Sequence, residues 1–110
     1  MATFVKGDVI IVPFPFSDLT QTKRRPALVI ATLPGDDLIL CQITSQNITD
    51  SYAIAITNND FASGGLNQNS NSRPNKLFTG DRQIILYQAG QIKPEKLEEV
   101  IAQIIGILQQ

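Results

Sequence analysis

The stretch PALVIATLPGDDLILCQI, residues 26–43, decides the fold. Two short apolar runs, Pro26 to Ala31 and Leu38 to Ile43, flank Pro34-Gly35-Asp36-Asp37, whose proline and glycine favour a turn. The pair reads as two antiparallel strands. Upstream, Val9-Ile10-Ile11-Val12-Pro13-Phe14 is a third such run, bounded by Gly7-Asp8 and Pro15, and it completes a three-stranded meander. Because proline has no ladder donor, Pro13 and Pro15 place the end of this strand at an edge or a bend. Phe14 and Phe16 would then sit at a sheet margin and, with Phe78, are candidates for a dimer surface as much as for ordinary core packing.

Downstream, Tyr52 to Thr57 alternates large and small apolar residues and predicts a fourth strand. Asn58-Asn59-Asp60 supplies capping side chains for a brief helical turn over Asp60 to Ala62, which Gly64-Gly65 would stop. Two polar stretches, Ser17 to Arg24 and the amide-rich Asn67 to Asn75, read as exposed loops. Lys76 to Thr79 and Gln83 to Tyr87 are short predicted strands around Gly80-Asp81-Arg82. At the end, Leu97, Val100, Ile101, Ile104, Ile105 and Leu108 fall on one helix face, with Pro94 at the first turn and Glu95 near the positive end of the helix dipole. The expected fold is therefore mainly β, or α+β. It is a small SH3-like, partly open antiparallel barrel of five to seven strands with a C-terminal amphipathic helix, forming one domain over residues 1–110.

With 110 residues, 43% of them hydrophobic and 17% charged, the chain can bury a single core. It contains no histidine, which removes histidine triads, acid–base pairs and metal sites together. Its one cysteine, Cys41, cannot form an internal disulfide or a metal cluster, so neither a metal nor a cofactor is expected and a reducing, cytoplasmic setting is. No apolar run approaches the roughly 20 residues needed to span a bilayer, and the first residues lack the pattern of a signal peptide. No membrane partner is expected.

A net charge of −1 argues at first against nucleic-acid binding, but the signs are segregated. Residues 1–35 carry Lys6, Lys23, Arg24 and Arg25 against Asp8 and Asp18, and residues 73–93 carry Arg73, Lys76, Arg82 and Lys93 against Asp81 alone. The acidic residues concentrate between 36 and 72 and on the terminal helix. A local basic groove is compatible with this distribution. Lys23-Arg24-Arg25 suits phosphate contact, since the guanidinium fork binds two phosphate oxygens at once, and Pro26 stiffens the backbone beneath Arg25. Thr44-Ser45-Gln46-Asn47 ends a strand in neutral donors and acceptors, suited either to a phosphate or base edge or to a local hydroxyl turn. Arg73-Pro74-Asn75-Lys76 is a third polar site.

Five features in this order are similar to the MazF/PemK (growth-inhibitor) toxin family. They are Lys6-Gly7-Asp8-Val9-Ile10 with Pro13-Phe14, the Lys23 to Val29 block, the Ile43-Thr44-Ser45-Gln46 strand end, Lys76 to Asp81, and the terminal helix. The resemblance implies a homodimeric, metal-independent endoribonuclease, the toxin of a type II toxin–antitoxin pair. Such an enzyme cuts single-stranded RNA through the ribose 2′-OH to leave a 2′,3′-cyclic phosphate and a 5′-OH. It implies catalytic roles for Arg25 and Thr44, with Lys23, Arg24, Ser45, Gln46, Arg73, Asn75 and Lys76 binding RNA, and a small acidic antitoxin laid along the basic groove. Asn75 stands where one branch of the family has an aspartate, and an amide cannot serve as a general base.

Two other readings compete. A non-catalytic gyrase-binding toxin of the CcdB type uses the same kind of barrel, and a degenerate site would bind RNA or antitoxin without cutting.

Overall fold

Val9, Ile10, Ile11 and Val12 are all buried, which an unbroken apolar run permits only when both faces of its strand are covered. The computed structural model describes residues 3–15, 22–47 and 50–110 and shows how this arises. The strands are β1 (Asp8–Pro15), β2 (Thr22–Thr32), β3 (Asp37–Thr44), β4 (Ile54–Ile56), β5 (Phe61–Gly64), β6 (Ser70–Asp81) and β7 (Tyr87–Ile92), followed by helix α1 (Pro94–Gln109). They form one antiparallel sheet in the order β4-β6-β3-β2-β1-β7-β5. β4 and β5 are its unjoined edges, so the barrel is open, as the sequence predicts.

Alternation sends successive side chains to opposite faces, and each face has its own core. On one face Val9, Leu28, Cys41, Ile43, Ile54, Ile56, Phe61 and Ile92 meet Val100 and Ile104 of α1. On the other, Ile10, Val12, Ala27, Val29, Leu38 and Leu40 are covered by Phe4, Phe78 and Ile85. α1 has Pro94 at its first turn as expected, but its apolar stripe docks only in part. Val100 and Ile104 are buried, whereas Ile105 is 47% and Leu108 74% exposed.

β1 pairs with β7 only from Asp8 to Ile11, while its pairing with β2 runs on to Pro15. Among the described residues, Pro13 and Pro15 thus fall where β1 is paired on one side alone, as their missing donors require. Ser17 to Gln21, Phe16 and the Phe14 side chain lie outside the described residues; Phe78 is half-buried against the second core.

Other segments differ from the sequence reading. Lys23 and Arg24 are part of β2, not of a loop, because β1 continues alongside them. The fourth strand shrinks to Ile54–Ile56. The helical turn occupies Asn58–Asp60, where Asp60 accepts from the Thr57 amide at 2.8 Å, and Phe61–Gly64 is a strand paired with β7. Gln83 to Tyr87 is not a strand: Arg82–Ile84 form a short 3₁₀ turn capped by Asp81, and pairing resumes at Tyr87.

The largest difference is β6, which takes up residues 70–75 of the predicted amide-rich loop and leaves only 67–69 outside a strand. Asn, Ser and Pro disfavour strands locally, but β3 and β4 flank this segment and satisfy its backbone, and Ser70, Ser72 and Pro74 point inward. Pro74 is tolerated because the register jumps from Gln42↔Arg73 to Cys41↔Leu77, leaving Pro74, Asn75 and Lys76 in a bulge that owes no bond to β3.

Candidate nucleic-acid interface

β3 ends at Thr44, while β2 continues to Thr22 against β1. Extending the register that pairs Ala27 with Gln42 puts Arg25 across from Thr44, on the same face as Ala27, Val29, Leu40 and Gln42. At one end of the sheet the apolar packing therefore gives way to an arginine and a hydroxyl on adjacent strands, beside Ile43 and Leu66 of the helix-side core.

These residues line a cleft of about 320 Å³. Lys23, Arg24, Arg25 and Pro26 come from β2, Ile43 and Thr44 from β3, and Ser45 from just beyond it. Leu66, Asn67, Gln68 and Ser70, from the link into β6 and its first residue, complete the lining. None of these described residues is acidic, so three cations on one strand give the cleft a positive potential. Thr44 is only 5% exposed, and its Oγ1 accepts the Gln46 backbone N–H at 3.2 Å. The strand-end hydroxyl turn is thus present, and it leaves the Thr44 hydroxyl proton able to donate to an anion in the cleft.

Arg73, Asn75 and Lys76 do not line this cleft. The Arg73 guanidinium, on β6, donates to Asp50 at 3.0 Å, and Asp50 also accepts from the amides of Tyr52 and Ala53 at 3.0 and 3.1 Å. Desolvation pushes the Asp50 carboxyl up, but Arg73 and the two amides outweigh it and hold the group below the usual carboxylate value. Arg73 therefore fastens the chain after residue 49. Asn75 and Lys76 are exposed on the β6 bulge. Gln46, exposed and not among the lining residues, accepts through its carbonyl from the Asn71 side-chain amide at 3.4 Å. Cys41 is buried in the helix-side core, and burial pushes its thiol up to about 12 despite a backbone hydrogen bond at Arg73, which keeps it protonated at neutral pH.

Sequence reasoning missed Leu66, Asn67, Gln68 and Ser70 as cleft residues. Their one sequence signal is the amide-rich composition itself, which by local pattern reads as loop chemistry. A larger cleft of about 880 Å³, around Phe4, Ile85, Leu86 and Tyr87, contains none of the predicted site residues, and its Arg82 is already opposed by Asp36 at 3.6 Å.

The sequence model of the PemK-like, MazF-like toxins of type II toxin–antitoxin systems matches residues 5–108. The chain belongs to this family. Solved structures show the same toxin fold at low identity. MazF from Deinococcus radiodurans is 18% identical, with all of both chains covered and a TM-score of 0.77. The MazE–MazF complex from that organism gives a TM-score of 0.78 at 18% identity, covering 100% of this chain and 99% of that one. A mycobacterial endoribonuclease in complex with its cognate antitoxin gives 0.73 at 11% identity, covering 97% and 96%. No curated protein matches the chain significantly in sequence. Among the described residues, no helix is long and apolar enough to cross a membrane.

Proposed function

We propose that this toxin is a metal-independent endoribonuclease acting on single-stranded RNA in the cytoplasm as a homodimer, restrained by a small acidic antitoxin. The observation that carries this reading is the meeting of Arg25 and Thr44, distant in sequence, in one cationic cleft. A phosphodiester seated there lies against Arg25, with Lys23, Arg24 and Ser45 holding its neighbours. The ribose 2′ oxygen attacks the adjacent phosphorus and gives up its proton, the bond from phosphorus to the 5′ oxygen breaks, and that oxygen takes up a proton. The products are a 2′,3′-cyclic phosphate and a 5′-OH. Negative charge grows on the non-bridging oxygens, where a guanidinium and the Thr44 hydroxyl lower the barrier by about 3 kcal/mol per well-placed donor. An arginine stays protonated at neutral pH and is a poor proton shuttle, so Arg25 acts by electrostatics and turnover is slow.

Solved neighbours that include an endoribonuclease in complex with its cognate antitoxin and a MazE–MazF complex are consistent with this reading. The test incubates purified protein with a long RNA in EDTA and analyses the new ends. Cyclic phosphate termini that disappear with Arg25→Ala support the proposal. Intact RNA, or cutting only when a divalent cation is added, overturns it, and inhibition of gyrase supercoiling without RNA cutting would favour the poison instead.

A further inference from the structure

The link between β5 and β6, residues 65–69, brings two side-chain amides to the cleft that holds Arg25 and Thr44. Its backbone is pinned at both ends. Gly64 has φ +67° and lies so close to β7 that a Cβ there would sit 2.2 Å from the Ala89 carbonyl oxygen. The Gly65 amide donates to that same oxygen at 3.2 Å, and Leu66 packs against the helix-side core. At the other end the buried Ser70 hydroxyl donates to the Gln68 carbonyl at 3.0 Å. Between these anchors Asn67 and Gln68 are exposed, and their side chains make no hydrogen bond among the described residues.

A pinned backbone carrying uncommitted amides beside a row of cations divides the labour of binding. Phosphates go to the guanidinium and ammonium groups, which carry no sequence information. A side-chain amide offers one donor and one acceptor side by side, the complement of a base edge that presents an acceptor next to a donor. The Hoogsteen edge of guanine, with two acceptors, is a poor match. In single-stranded RNA the edges are open to such contacts. We propose that Asn67 and Gln68 are specificity-determining residues that select the base of a nucleotide flanking the phosphate at Arg25. This rests on the RNA reading of the cleft above.

Two measurements test it together. Cut sites on a long mixed-sequence RNA are mapped for the wild type and for the double variant Asn67→Ala/Gln68→Ala. In parallel, 2′-O-methyl oligonucleotides that cannot be cleaved and differ at one base are titrated against both proteins. The wild type should discriminate at one position beside the cut by about tenfold or more, a difference the double variant loses at that position alone. A variant that folds, cuts and keeps the same base preference overturns the proposal while leaving the ribonuclease reading intact. Base-selective binding that the variant loses, without any cleavage by the wild type, upholds the proposal and removes the ribonuclease reading. Failure of the wild type both to cut and to bind the oligonucleotides overturns both.

Discussion

Replacing Thr44 by valine separates what this hydroxyl does for the fold from what the proposed reaction asks of it. Valine matches threonine in shape, so the 5%-exposed pocket stays filled and no cavity opens. The Gln46 N–H, now bonded to Oγ1 at 3.2 Å, loses its acceptor, which for a partly buried donor costs about 1 kcal/mol. For a domain near this size that is a fall in Tm of roughly 4–8 °C, small enough for the protein to remain folded at 25 °C. Loss of one phosphate donor in the transition state should instead lower the cleavage rate roughly 10²- to 10³-fold. Thr44→Ser keeps the hydroxyl and gives up a methyl group, so it should lose a similar amount of stability, about 1 kcal/mol, and retain the rate within a few fold. Thermal denaturation and single-turnover cleavage of a labelled RNA, run on all three proteins, read the two effects separately. A folded valine variant that cuts within about threefold of wild type would show that Thr44 donates nothing to the phosphate and that its hydroxyl serves the turn alone.

Three further outcomes follow from the packing and electrostatics. Ile104→Ala removes a buried contact between α1 and the sheet and should cost about 2–4 kcal/mol in urea denaturation; a loss below about 1 kcal/mol would mean the helix is not docked there. The buried Cys41 thiol should resist an aromatic disulfide reagent at pH 8 in the native protein and react fully once the protein is unfolded; rapid native labelling would contradict its burial. Asp50 is held below its unfolded value, so its stabilising contribution is complete above the ordinary carboxylate range and fades as the pH falls through the depressed folded value. The stability gap between wild type and Asp50→Asn should therefore be widest near neutrality and close in acid, as read from urea midpoints at several pH values; a gap that widens in acid would refute the Arg73 pairing.

Much of this fold is legible in local pattern. Short apolar runs around Pro34-Gly35 yield β2 and β3, and the helical spacing from Leu97 to Leu108 yields α1, because burial of side chains at period two or 3.6 is a property of neighbouring residues. Polar composition misleads where pairing partners decide. Residues 70–75 read as a loop and form a strand, since β3 and β4 supply the backbone bonds that asparagine, serine and proline do not favour by themselves. The basic triplet and the polar strand end were visible as separate features. Their adjacency was not: Arg25 and Thr44 meet only through the β2–β3 register, and Arg73 turns to Asp50 instead of the cleft.

The sequence by itself determined a histidine-free, single-cysteine chain with apolar strand runs, one amphipathic helix and its positive charge gathered in two segments. These follow from residue identity and short-range periodicity. Only the tertiary structure decided which polar groups share a site. It placed Asn67 and Gln68 beside Arg25 and withdrew Arg73, Asn75 and Lys76 from the cleft lining. Register, bulges and the close approach of β5 to β7 at Gly64 are set by long-range pairing, and one residue's shift in pairing turns a side chain to the opposite face.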